Sequence, residues 1–139
     1  MKRTISGVLM AAMVAGAASC KPAPAAEWVV FEAMPEATIY VDPSTIHRAG
    51  DRAEMWVLID YKSPQPDKTG KQVLSDKLHY QYECREKQLR IIATSAHAGP
   101  MASGETINIS PDPPHSTPVE AGTTAEKMWQ RACGDTARE

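Results

Sequence analysis

The hydrophobic patterning of this chain predicts an α+β fold: a six-stranded, mostly antiparallel β-sheet with a C-terminal α-helix packed on one face and tethered there by a disulfide. Three observations carry the prediction. From Glu27 onward, apolar residues recur at every second position in six separate runs, the period of half-buried strands. Helical spacing is convincing once, in the last element, which stops at Gly134. Cys84 ends a strand run and Cys133 ends the helix run, each on its apolar side.

Taken in order, EWVVFEAM (27–34) and ATIYVD (37–42) are apolar and rich in β-branched and aromatic residues, with Met34-Pro35-Glu36 as the turn between them. Asp42-Pro43-Ser44-Thr45 is a turn, because Pro fixes its own φ and the Asp and hydroxyl side chains bond local backbone. Ala49-Gly50-Asp51 signals a tight hairpin into RAEMWVLIDY (52–61). In that strand Met55, Val57, Ile59 and Tyr61 share one face, while Trp56 and Leu58 share the other with Glu54 and Asp60. Both faces are partly apolar, which predicts a central strand with something packed on each side. Residues 62–72 (KSPQPDKTGKQ) read as a polar loop. VLSDKLHYQYEC (73–84) points Leu78, Tyr80, Tyr82 and Cys84 one way and Lys77, His79, Gln81 and Glu83 the other. KQLRIIATSAHA (87–98) and ETINIS (105–110) complete the strands, and residues 111–122 read as a Pro-rich connection with little regular structure.

The helix begins at Thr123, a capping residue with Glu126 three positions on, the spacing of a capping box. Ala125, Met128, Trp129, Ala132 and Cys133 form one apolar stripe, and Gly134 is the C-terminal stop. A helix of this length is marginal alone, so its stripe must be buried on the sheet. Cys133 on that stripe then meets Cys84 on the inward face of its strand. The bond closes a loop of roughly 50 residues, for which chain entropy gives about 4 kcal/mol.

Residues 1–25 read as an export signal followed by a Pro/Ala tether, and 26–139 as a single domain. Lys2 and Arg3 form the basic start, and Ile5 to Ala18 an apolar core too short to span a bilayer comfortably. Two cleavage readings stand side by side. Ala17-Ala18-Ser19-Cys20 is a lipobox that makes Cys20 the acylated N-terminus, with Ala17 where Leu is usual. Alternatively, Ala23-Pro24-Ala25 is an ordinary signal-peptidase site and Cys20 is discarded. Either way the odd cysteine count of 3 resolves into one pair in an oxidising compartment. The protein is then an outer-membrane lipoprotein or periplasmic, touching a membrane only through the lipid.

With 15 basic and 17 acidic residues the formal net charge is −2, and cleavage of the leader makes it more negative. That argues against a nucleic-acid partner. No G-x-S-x-G context, marked carboxylate pair, C-x-x-C or H-x-x-x-H spacing is present, so no catalytic residue, metal site or enzyme activity is expected.

In order and spacing, the blocks Glu27-Trp28-Val29, Tyr40-Val41-Asp42-Pro43-Ser44-Thr45-Ile46, Met55-Trp56-Val57-Leu58-Ile59-Asp60-Tyr61, Tyr80-Gln81-Tyr82-Glu83-Cys84, Gly99-Pro100-Met101-Ala102-Ser103-Gly104, and Ala121-Gly122-Thr123 through Trp129 to Cys133 resemble the surface-adhesin protein E family, small exported proteins of Gram-negative bacteria. The resemblance covers 27–134. It implies a curved antiparallel sheet with the helix disulfide-tethered across it, and an adhesin role toward host matrix proteins, with vitronectin, laminin and haem as ligands in the best-known members. It places vitronectin-contacting basic residues on the strand after the first cysteine, where Arg85, Lys87 and Arg90 are the candidates. This chain departs from the family pattern at Ala121, where Pro is usual.

With Lys77 these cations offer a patch for acidic matrix segments, against the plainer reading of solvated strand faces. Haem, the one cofactor the sequence allows, would take His79 and His97 as axial ligands, with Met101 nearby. Trp28, Trp56 and Trp129 read as core. The reading is therefore a non-enzymatic exported binding module resembling a matrix-binding adhesin. The alternatives are a periplasmic structural or envelope protein without a host ligand, and a haem carrier. An open sheet edge also allows a homodimer.

Overall fold

The computed structural model describes Gly16, residues 25–110 and residues 115–134. Cys20 and both cleavage sites as whole motifs lie outside the described residues. The chain order is β1 (Val29–Ala33), β2 (Ala37–Val41), a 3-10 turn (Pro43–Thr45), β3 (His47–Ala49), β4 (Arg52–Pro66), β5 (Gln72–Glu83), β6 (Gln88–His97), β7 (Thr106–Ser110), β8 (Ser116–Pro118) and α1 (Thr124–Cys133). Spatially the strands run β1-β2-β4-β5-β6-β7, every pair antiparallel.

The sheet has eight strands where the sequence predicts six. Both additions are three-residue segments that continue an existing edge: β3 pairs with the start of β4 beyond β2, and β8 with the start of β6 beyond β7. The connection read as irregular thus contains β8, and it delivers Val119 into the core. β4 also runs to Pro66, five residues past its predicted end. Proline's fixed φ is compatible with extended backbone, so the polar run continues as an exposed ribbon, broken by a register shift between Asp60 and Gln65. Its tip is an Asp67 turn, in which Oδ1 accepts from the Thr69 and Lys71 amides and Gly70 takes φ +82°.

The core lies on one face. Ile39 and Val41 of β2, Met55 and Val57 of β4, and Leu78, Tyr80 and Tyr82 of β5 meet Met128, Trp129 and Ala132 of α1. Cys84 and Cys133 are bonded there. Thr123 caps the helix by accepting from the Glu126 amide. The reciprocal bond differs from the predicted box: the Glu126 carboxylate accepts from the Gly122 amide, one residue before the cap. Lys87 pairs with Glu126, and Lys127 and Thr124 with Glu32 of β1, so the helix is fixed to the sheet at both sides.

Candidate functional site

The other face of the sheet carries no helix. At one end the Gly99–Gly104 loop turns back over it. The fully buried Ser75 hydroxyl donates to the Gly99 carbonyl at 2.6 Å and accepts from the Ala102 amide at 2.9 Å. Asp60 Oδ1 accepts from the Met101 amide at 2.8 Å. Leu58, fully buried, lies on this side of β4, so the central strand does have packing on both faces.

Toward the other end the face is open, and register decides what it displays. Trp56 of β4 stands opposite His79 of β5, and Leu58 opposite Lys77. The Trp56 and His79 rings stack with centroids 4.5 Å apart and planes 8° from parallel. Lys77 Nζ lies 4.6 Å from the Trp56 ring centroid, a cation–π contact. Glu54, on the same side of β4, places Oε2 3.3 Å from His79 Nε2 and accepts from Gln81 Nε2 at 2.9 Å. Burial pushes the His79 imidazole below its ordinary proton affinity, and the nearby Glu54 charge offsets this only in part.

Beside the stack, Trp28 and the Asp42 turn enclose an open groove of about 340 Å³, whose wall includes Trp56, Lys77, Ser44 and Thr45. Local sequence chemistry sets this turn. Pro43 begins the 3-10 turn, and the buried Asp42 carboxylate accepts from the Glu27 amide, the Ser44 amide and the Ser44 hydroxyl. Thr45 Oγ1 donates to the Asp42 carbonyl at 2.6 Å and accepts from the Trp56 amide at 3.0 Å, which ties the turn to β4. Asp42 therefore directs its charge to its own neighbours. Lys77, in no ion pair among the described residues, gives the groove its cationic character.

Trp28 and Trp56 correct the sequence reading, which put all three tryptophans in the core. Only Trp129 is buried, while Trp28 and Trp56 are half-buried on the groove. The signal was present for Trp56, which shares its strand face with Glu54 and Asp60.

The basic trio does not assemble. Arg85 and Lys87 lie in the turn between β5 and β6, not on the strand. Arg85 pairs with Asp51 at 3.0 Å. Lys87 pairs with Glu126 at 2.8 Å and lies 4.7 Å from the Trp129 ring centroid, on the helix side. Arg90, on β6, stands opposite Gln81 and so shares the helix-free face. His79 and His97 also share that face without meeting. Ser75, four residues before His79, is the partner of His97, which separates the two by roughly 13 Å along the sheet. His97 Nε2 is bonded to Ser95 Oγ. Among the described residues no group of three or more His, Cys, Asp or Glu side chains is placed to hold a metal, and no helix is long and apolar enough to cross a membrane.

Comparison with known proteins places this geometry. A family model described as surface-adhesin protein E matches residues 28–134. No curated protein gives a significant match. Among solved structures, Haemophilus influenzae protein E is similar at a TM-score of 0.60 and 14% identity, covering 86% of this chain and 96% of that one. Protein E from non-typeable Haemophilus influenzae is similar at 0.57 and 11%, covering 81% and 87%. At such identities the likeness extends to the fold.

Proposed function

The chain belongs to the surface-adhesin protein E family, and from that premise we propose that it is an exported, non-enzymatic binding module, anchored in the outer membrane through Cys20, that contacts host matrix proteins such as vitronectin or laminin. The observation that carries this reading is the family match across nearly the whole described domain. The architecture is consistent with it: the helix and its ion pairs occupy one face, and the other presents half-buried aromatic and cationic groups to solvent. Aromatic anchors beside a charge are the composition that concentrates binding energy in protein interfaces.

The test is binding of the disulfide-intact protein to immobilised vitronectin and laminin. Saturable binding to either supports the adhesin reading. Binding to neither removes it and leaves a structural role in the envelope or haem carriage. Intact mass of the protein from its host envelope tests the anchor: an acylated chain beginning at Cys20 supports it, and an unmodified chain beginning near Ala26 removes it.

A further inference from the structure

We propose that the Trp28–Trp56 groove seats an acidic, extended segment of a partner polypeptide, with a carboxylate of that segment on Lys77. The proposal rests on the reading of this domain as a polypeptide-binding module and assigns the site.

Charge complementarity is the first argument. Lys77 is the cation on the groove wall, and no carboxylate among the described residues pairs with it. Asp42, the acidic group on the same wall, is only 2% exposed and accepts from the Ser44 amide and hydroxyl of its own turn and from the Glu27 amide. Of the carboxylates that β4 carries on this face, Glu54 contacts His79 and Gln81, and Asp60 accepts from the Met101 amide. An ammonium held against an indole in a partly dry groove favours an anionic partner, because the apolar wall strengthens the attraction that water would screen.

Shape is the second. His79 is already stacked on the Trp56 ring and Lys77 lies over it, so Trp56 is a poor platform for a flat ligand such as a sugar ring. The groove instead offers indole wall area to side chains. Its wall also includes Trp28, which directly precedes β1. β1 has β2 as its strand partner among the described residues, and Val30, 57% exposed, stands opposite Tyr40 and is placed on the helix-free face next to Trp28. In an extended peptide alternate side chains point the same way. A carboxylate on Lys77 thus leaves the apolar residues two positions away to lie along the groove wall toward Trp28.

The probe is an acetylated, amidated pentapeptide Leu-Ser-Glu-Ser-Leu, which carries apolar residues two positions to either side of one glutamate, titrated into the disulfide-intact protein while tryptophan emission is followed. A peptide with lysine for glutamate and a heparin oligosaccharide are the comparisons. The expected result is a saturable emission change with the glutamate peptide alone. Lys77→Gln should weaken it about tenfold, and Trp56→Ala should abolish it with the circular dichroism spectrum retained. No emission change, equal response to the lysine peptide, a response to heparin in place of the peptide, or unaltered affinity in Lys77→Gln each overturns the proposal. The two readings fail separately. Vitronectin or laminin binding without peptide binding removes the groove and keeps the adhesin. Lys77-dependent peptide binding without either matrix protein keeps the groove and removes that choice of partner.

Discussion

Arg48 of β3 donates its Nε to the carbonyl of Ala132 across 2.6 Å, and an Nη to the Arg131 carbonyl at 3.3 Å. The last carbonyls of a helix have no partner within it, and a cation there also meets the negative end of the helix dipole. This side chain, contributed by a strand 84 residues earlier, completes the helix C-terminus. Arg48→Ala should lower stability by about 1 kcal/mol, read as a lower urea midpoint with unchanged slope. An unchanged midpoint would show that water replaces the guanidinium without loss.

The disulfide carries more. Cys84 and Cys133 are 49 positions apart, with Cα atoms 5.7 Å apart. A cross-link across that loop restricts the unfolded chain by about 4 kcal/mol on the entropic account. The Cys84→Ser, Cys133→Ser double variant should therefore lose a large part of a domain's usual stability of about 5–15 kcal/mol. Urea unfolding of this variant against the oxidised parent measures it. A loss of about 1 kcal/mol or less would mean that helix packing alone holds α1 in place.

The loop over the helix-free face makes two opposed predictions. Ser75→Ala strands the Gly99 carbonyl and the Ala102 amide, and should cost about 1–3 kcal/mol. Ala102 has φ +58°, a left-handed conformation that an L side chain adopts at a penalty. Ala102→Gly should raise stability by about 0.5 kcal/mol, since relief of that strain exceeds the added freedom of the unfolded chain. Thermal unfolding of both variants checks the signs, and a destabilised Ala102→Gly would contradict the strain argument.

Most of the sheet was legible because its signal is local. Strands β1, β2, β5, β6 and β7 follow period-two runs, and the stripe Met128, Trp129, Ala132, Cys133, read together with Cys84, places the helix on the face shared by Leu78, Tyr80 and Tyr82. What escaped depends on partners distant in sequence. β3 and β8 are three-residue segments whose only reason to be strands is an edge already built by β4 and β6. The same holds for the site. Lys87 reads as a free cation until Glu126 and Trp129 are folded against it, and Lys77 reads as one of several until Trp56 is placed beside it. The groove needs Trp28, the Asp42 turn and β4 together, and no window of sequence contains all three.

His79 gives the helix-free face a pH dependence whose sign is fixed. Burial beside Trp56 disfavours the imidazolium, and Glu54 favours it by less, so the folded-state proton affinity lies below the ordinary value of about 6.5. The unfolded chain then takes up the proton first. The stability associated with His79 is full above about pH 6.5 and is lost as pH falls through that value toward the lower folded one. The groups facing it are Trp56 and Gln81 together with the charges of Glu54 and Lys77, and these stay constant in a parent-minus-variant comparison. His79→Phe keeps an aromatic ring for stacking and removes the titration. Urea unfolding at intervals between pH 7.5 and 5 should show the parent losing stability more steeply than the variant. Parallel pH profiles would mean that the imidazole is protonated equally easily folded and unfolded, and that Glu54 balances burial in full.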